Sequence, residues 1–223
     1  MHLGAVQGRI ARAAERVGRD PAQIGVVAVT KGHPLAAVRE AAAQGLLDIG
    51  ENRVQEALEK QAAWPDAPVR WHLIGHLQRN KAKQAVGRFA LIHSVDSVRL
   101  ADELEKVAAG QGAVQEVLVQ VNVAREPQKS GVLPQDAEAL VAHVAGQPHL
   151  RLTGLMTMAP LTDDEVVIRG TFRGLRGLRD RLTSLTSPLT VLSMGMSSDF
   201  EIAVEEGATL LRLGTVLFGE RQP

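Results

Sequence analysis

The apolar run in "VVAVTKGHP" (residues 26–34) closes on a lysine, Lys31. A parallel strand buried on both faces reads as such a run, and a charge at its end needs water, an anion or a covalent partner. A lysine desolvated there loses its proton more readily. Its amine can then attack a carbonyl and form a Schiff base with a sugar, a keto acid or pyridoxal phosphate. Taken alone, the same lysine can also extend its ammonium to water or pair with a carboxylate. A second polar set lies near the C-terminus. In "SMGMSSDFEIAVEEG" (193–207), Ser197, Ser198 and Asp199 suit either a helix cap or an anion site. "RLGTVLFG" (212–219) adds Arg212, Gly214 and Thr215: a cation, a glycine that lets backbone approach a ligand, and a hydroxyl. Arg212 suits a surface ion pair, a phosphate or a ring nitrogen.

Three histidines invite a metal reading, since His72 and His76 are four apart and His93 stands near the end of the next apolar run. No HExxH surrounds them and Gly75 interrupts the strand between the first two, so no metal is expected. His72 is expected to orient its neighbours or to line the same cup as the other polar groups. Asp96 with Ser97 suits a helix cap. Met156, Met158, Met194 and Met196 suit core packing, and Met196 also the face of a flat ring. Lys129, in "REPQKSG" (125–131), reads equally as a solvated loop charge or a second anion contact.

These residues need a frame that brings distant segments together. Apolar runs recur near 24–30, 46–50, 70–75, 89–95, 115–123, 150–158, 189–195 and 209–218. Between them lie helical patterns at 33–45, 52–64, 97–110, 133–146 and 172–184, several closing on glycine. Eight alternating units predict an α/β protein with a (β/α)8 barrel. Barrels of this kind run to about 250 residues, so 1–223 is expected to form a single domain without large insertions. An open doubly wound sheet is the alternative, but the glycine-rich dinucleotide fingerprint is missing after the first strand. Ahead of the barrel, Val6, Ile10, Ala13 and Val17 recur at helical spacing and predict an additional N-terminal helix; Glu15 and Asp20 argue against a transit peptide. Barrel active sites sit at the carboxyl ends of the strands, with a phosphate often held after strands seven and eight. Lys31, the "GEN" of Gly50, Glu51 and Asn52, the "WHLIG" of 71–75, and both C-terminal motifs fall at such ends.

Composition narrows the partners. Lys plus Arg and Asp plus Glu both number 25, so no excess positive field favours nucleic acid or anionic lipid. A small molecule is the expected partner. The sequence has no cysteine, which excludes disulfides and thiolate chemistry and suits a reducing cytoplasm. No run of eighteen apolar residues predicts a membrane span.

Taken together, "VAVTKGHP", "IGENRVQE", "WHLIGHLQRNK", "HSVDS", "VQVNVAREPQKSG", "GLMTMAP", "LSMGMSSDFEIAVEEGAT" and "LRLGTVLFGER" closely resemble the pyridoxal phosphate homeostasis protein family across almost the whole chain. The resemblance implies a single-domain barrel like the N-terminal domain of alanine racemase, with pyridoxal 5′-phosphate as cofactor. By it, Lys31 matches the lysine that links to the cofactor. Ser197, Ser198, Gly214 and Thr215 fall in the segments that hold its phosphate, and Arg212 matches the arginine facing the pyridine nitrogen. Asn52, His72 and Met196 match cofactor-lining positions. Gly32 and His33 replace a polar pair common after the lysine, and Ala124 and Arg125 occupy a loop that often carries glycine. The implied role is to buffer or deliver the cofactor, as a monomer, to recipient enzymes. An amino-acid racemase and a cofactor-free Schiff-base aldolase are the enzymatic alternatives. Alanine racemases take one of two opposed bases from a tyrosine in a partner's second domain, and this sequence has no tyrosine.

Overall fold

Strand and helix alternate along the whole chain, and the strands close on themselves in sequence order. The computed structural model describes residues 1–183 and 188–220. The strands are β1 (Gly25–Val29), β2 (Asp48–Glu51), β3 (Arg70–Leu73), β4 (Leu91–Val95), β5 (Gln115–Gln120), β6 (Leu150–Met156), β7 (Val191–Ser193) and β8 (Leu210–Leu213). Each pairs in parallel with the next, and β1 with β8, giving a closed barrel that leaves no edge. The helices are α1 (Leu3–Arg16), α2 (Leu35–Ala43), α3 (Val54–Ala63), α4 (Ala82–Ala85), α5 (Val98–Gln111), α6 (Ala137–Ala145), α7 (Glu165–Leu182), α8 (Phe200–Glu205) and α9 (Thr215–Phe218). Among the described residues no helix is long and apolar enough to cross a membrane. Ser184, at the end of one expected helix, and Arg221, in the last motif, lie outside the described residues.

The core divides by position. A large apolar cluster lies between barrel and helices, including Ile49, Leu73, Ile92, Phe172, Leu192 and Leu213. A separate small cluster of Leu91, Leu118 and Met156 packs with Met158, Val191 and Leu210. Helix α1 buries Leu3, Val6, Ile10, Ala13 and Ala14. It packs on α8, where Arg9 pairs with Glu201 at 2.9 Å and covers the Phe200 ring, and His2 N–H reaches the Leu217 carbonyl of α9 at 3.0 Å. The N-terminal helix therefore braces the elements that follow β7 and β8.

Three boundaries differ from the sequence pattern. Val17 is not on the buried face of α1; it follows the last helical residue and is exposed, and the next residue, Gly18, turns the chain at φ +66°. Helix α7 begins at Glu165 rather than 172, because Asp164 caps it by accepting from Val166 N–H at 2.9 Å; its first turn exposes two valines, which hides the periodicity. The apolar run at 209–218 is half strand, half helix. β8 stops at Leu213, and Thr215–Phe218 turn helically as Leu217 and Phe218 N–H bond the Gly214 carbonyl at 2.8 and 3.0 Å. Periodicity cannot separate the two in so short a run.

Candidate functional site

Each barrel strand delivers its next residues to the same mouth. There a cavity of about 530 Å³ is lined by Val29, Lys31, Asn52, Ile74, Met158, Met196, Ser197, Ser198, Arg212, Gly214 and Thr215. Eight of the nine residues singled out in the sequence are in that wall.

Lys31 follows β1 in a turn whose backbone is gripped on both sides. The Thr30 carbonyl before it accepts from Lys60 Nζ at 2.8 Å, and Gly32 N–H after it donates to Glu56 Oε1 at 2.6 Å. Gly32 stands at φ +69°, where a side chain would be strained. Lys60 also donates to Glu51 Oε1 at 2.7 Å and Glu56 Oε1 at 2.9 Å, while Thr30 Oγ1 donates to Glu51 at 2.6 Å. Burial pushes the Glu51 carboxyl above its ordinary range against the pull of Lys60 and Thr30. Its second oxygen, Oε2, is buried without a hydrogen-bond partner among the described residues. Burial also opposes charge on Glu56, but the bonds from Lys60 and Gly32 N–H outweigh it and its pKa falls.

Asn52, past β2, packs against Gly75, where a Cβ would overlap the Asn52 backbone. The glycine that breaks the pattern of β3 thus lets the Asn52 turn settle. Across the mouth, the loop after β7 carries Met196, Ser197 and Ser198. Met196 N–H donates to Asp199 Oδ1 at 2.5 Å, so Asp199 holds its own loop; it begins α8 but its side chain does not cap that helix. Ser197 Oγ accepts from Val216 N–H at 3.2 Å and, more weakly, from Gly214 N–H at 3.4 Å, joining the loops after β7 and β8. Gly214 itself packs on Val29, where a Cβ would lie 3.3 Å from the Val29 carbonyl oxygen.

Arg212 is a barrel-interior residue, 4% exposed, whose Nη1 donates to Ser193 Oγ at 2.8 Å and Nη2 to the Thr157 carbonyl at 2.9 Å. Burial pushes its pKa down to about 10, with Asp199 acting the other way, so it remains a cation at neutral pH.

His72, the ninth, does not line this cavity as the resemblance implies, and fits the other reading of it, that it orients its neighbours. Side chains of successive strand residues alternate in direction, and the His72 ring bonds Asp48 at 2.9 Å and His93 at 3.0 Å, so it orients neighbours rather than lining the cup. His76, exposed, faces Asp96 at 3.6 Å, and Ser97 rather than Asp96 caps α5 by accepting from Leu100 N–H. Met158 belongs to the wall rather than only to the core. Lys129 does not line the cavity; it ties its loop to the segment after β6 through the Ala159 carbonyl at 2.7 Å and pairs with Glu126 at 2.5 Å. In the same loop Arg125 stands at φ +57°, a conformation that favours glycine.

Lys60, Glu56, His93 and Ser193 took no part in the sequence reading of the cup. Lys60 had a signal, a charge three residues from Ala57 on the buried face of α3. Glu56 finds Gly32 N–H in the loop after β1, and His93 and Ser193 have partners on other strands.

The model of the alanine racemase N-terminal domain matches residues 1–222, which sets the class of barrel. Within it, the chain belongs to the pyridoxal phosphate homeostasis protein family. The member from Aquifex aeolicus is 45% identical over 99% of this chain and 97% of its own length, and that from Pseudomonas aeruginosa 46% identical over 99% and 94%. Among solved structures, PipY of Synechococcus elongatus with PLP bound superposes at a TM-score of 0.83 and 41% identity, covering 95% of this chain and all of that one. The alanine racemase of Corynebacterium glutamicum, at 19% identity and a TM-score of 0.72 over 98% of this chain and 62% of that one, shares the fold.

Proposed function

We propose that this chain binds pyridoxal 5′-phosphate in the mouth cavity and serves vitamin B6 homeostasis by holding and releasing it, without turning over amino acids. The observation that carries the reading is the convergence on one wall of an amine, a buried guanidinium and three hydroxyls. The residue set fits the cofactor part by part. Lys31 offers the amine for its aldehyde; Ser197, Ser198, Thr215 and the backbone at Gly214 suit its phosphate; Arg212 suits its ring nitrogen, and Asn52 and Met196 its edges and face. A cavity of about 530 Å³ is of the size that takes a ligand of this class. The relative with PLP bound in its structure supports the same assignment.

Bound pyridoxal phosphate supplies an aldehyde that links covalently to an amine and a ring that withdraws electrons. The chain's own residues favour retention over turnover. Arg212, cationic at neutral pH, would donate to a ring nitrogen placed against it and disfavour its protonation, which would leave the ring a poorer electron sink. Racemisation needs acid–base groups on opposite faces of the reacting carbon, and the sequence offers no tyrosine for one of them. The reading extends to residues 1–223 acting as one unit, a cytoplasmic monomer that passes the cofactor to recipient enzymes.

Reduction with borohydride tests it. A pyridoxyl phosphate mass is expected on the peptide containing Lys31, and Lys31→Ala should lose it along with the visible band while keeping the circular dichroism of the wild type. Labelling of another lysine would overturn the assignment. Solvent deuterium should enter the α-position of added alanine no faster than with free pyridoxal phosphate; rapid exchange with inversion would make the protein a racemase.

A further inference from the structure

A file of side chains crosses the barrel interior from its amino end to the cavity. At the amino end, exposed Arg70 donates through Nε and Nη2 to the two oxygens of Asp48, both at 2.6 Å. Asp48 Oδ1 meets His72 Nε2 at 2.9 Å; His72 Nδ1 meets His93 Nε2 at 3.0 Å; His93 Nδ1 meets Ser193 Oγ at 2.9 Å. Ser193 Oγ accepts from Arg212 Nη1 at 2.8 Å. His93 and Ser193 have no exposed surface, and His72 is 5% exposed. From Asp48 to Arg212 the five side chains sit on β2, β3, β4, β7 and β8, with Arg70 also on β3.

The protons in this file can be placed by elimination. Burial opposes the charge of Asp48, but hydrogen bonds from His72 and Arg70 outweigh it, so the group is a carboxylate and only accepts. His72 Nε2 therefore carries a hydrogen. Burial, with the charge of Arg212 adding to it, pushes His93 well below the ordinary imidazole range, so His93 is neutral. With His72 neutral, its Nδ1 accepts, His93 donates from Nε2, and His93 Nδ1 accepts the Ser193 hydroxyl. The lone pairs of Ser193 then face Arg212. With His72 doubly protonated, the His93 proton would move to Nδ1 and face Ser193 Oγ, and the Ser193 hydroxyl hydrogen would lose its acceptor. One arrangement satisfies every donor, and in it each bond points from Arg212 toward Asp48.

We propose that His72, His93 and Ser193 form a one-directional relay that positions Arg212 at the cavity, with Asp48 fixing the direction from the opposite end of the barrel. These are positioning residues: His93 orders the Ser193 hydroxyl, and Ser193 holds the guanidinium. The assignment rests on the reading in which Arg212 meets the ring nitrogen of pyridoxal phosphate, but its first test needs no cofactor. In cofactor-free protein labelled with 15N-histidine, both His72 and His93 should be Nε2–H tautomers at neutral pH, assigned by loss of each signal in His72→Phe and His93→Phe. A Nδ1–H tautomer at either position overturns the relay. The second test loads pyridoxal phosphate. Ser193→Ala, with wild-type circular dichroism, should bind it about ten- to a hundred-fold more weakly, the range for losing a hydrogen bond to a charged group. The pH titration of its visible band should also shift, which a packing defect alone would not cause. Wild-type affinity and titration in Ser193→Ala would overturn the proposal while leaving the cofactor reading intact; absence of a visible band in the wild type would instead sink the cofactor reading, and the tautomers would still decide the relay.

Discussion

Among the described residues two cations are buried around the barrel mouth, and they are held by opposite means. On the β1–β2 side, Lys60 is surrounded by the carboxylates of Glu51 and Glu56 and one carbonyl, so its charge is cancelled where it stands. It contributes no wall to the cavity and acts by gripping the backbone on either side of Lys31. On the β7–β8 side, Arg212 bonds a hydroxyl and a carbonyl, both neutral, and its wall faces the cavity. A cation paired with carboxylates has little field left for a ligand; one held by neutral dipoles keeps it. The difference separates a clamp that positions an amine from a charge that meets a ligand.

Breaking the clamp should have the largest effect. Lys60→Met leaves the fully buried Glu51 without its cation and should lower stability by about 3–5 kcal/mol in chemical denaturation. A loss under about 1 kcal/mol would mean that Glu51 and Lys60 are solvated, and the contrast with Arg212 would fail.

The neutral relay should fail instead in acid. The folded pKa of His93 lies well below its ordinary value, so below pH about 6.5 the unfolded chain takes up a proton that the folded chain does not. Stability should therefore be full above that pH and decline as pH falls toward the folded value, with a slope of up to about 1.4 kcal/mol per pH unit. Asp48, whose folded pKa is also depressed, adds to the decline only below about pH 4. Unfolding curves between pH 5 and 8 should show this slope in the wild type and not in His93→Phe; equal slopes would mean that His93 is not buried neutral.

The smallest effect is expected at the hydroxyls. Replacing Ser197 and Ser198 together by Ala should weaken pyridoxal phosphate about tenfold, near the value of one hydrogen bond to a charged group, and leave pyridoxal binding unchanged. Parallel titrations with the two vitamers check this, and equal weakening of both would move the phosphate away from the β7–β8 side.

Much of the mouth was legible because strand ends and chemistry coincide. Lys31 ends an apolar run, and Ser197, Arg212 and Thr215 follow or close the last two strands, so alternation alone sends them to one end of a parallel barrel. His72 stayed open between orienting its neighbours and lining the cup, because membership of a strand near its carboxyl end says nothing of which way the ring points or which acceptor it finds. Asp48, at the start of β2, took no part in the sequence reading, because only closure with β3 brings His72 to it. The end of β8 was misjudged because the short apolar run Val216–Phe218 after Gly214 and Thr215 satisfies strand and helix patterns equally.

The sequence by itself determined the barrel, the mouth and the family, because the period of the pattern and the order of distinctive motifs are local properties of the chain. Only the tertiary structure decided what holds the functional groups. The clamp joins residues thirty apart, Lys60 to the Thr30 carbonyl, and the relay joins residues a hundred apart, His93 to Ser193. Hydrogen bonds of a few ångströms between such residues depend on barrel closure and strand register, which no local pattern encodes.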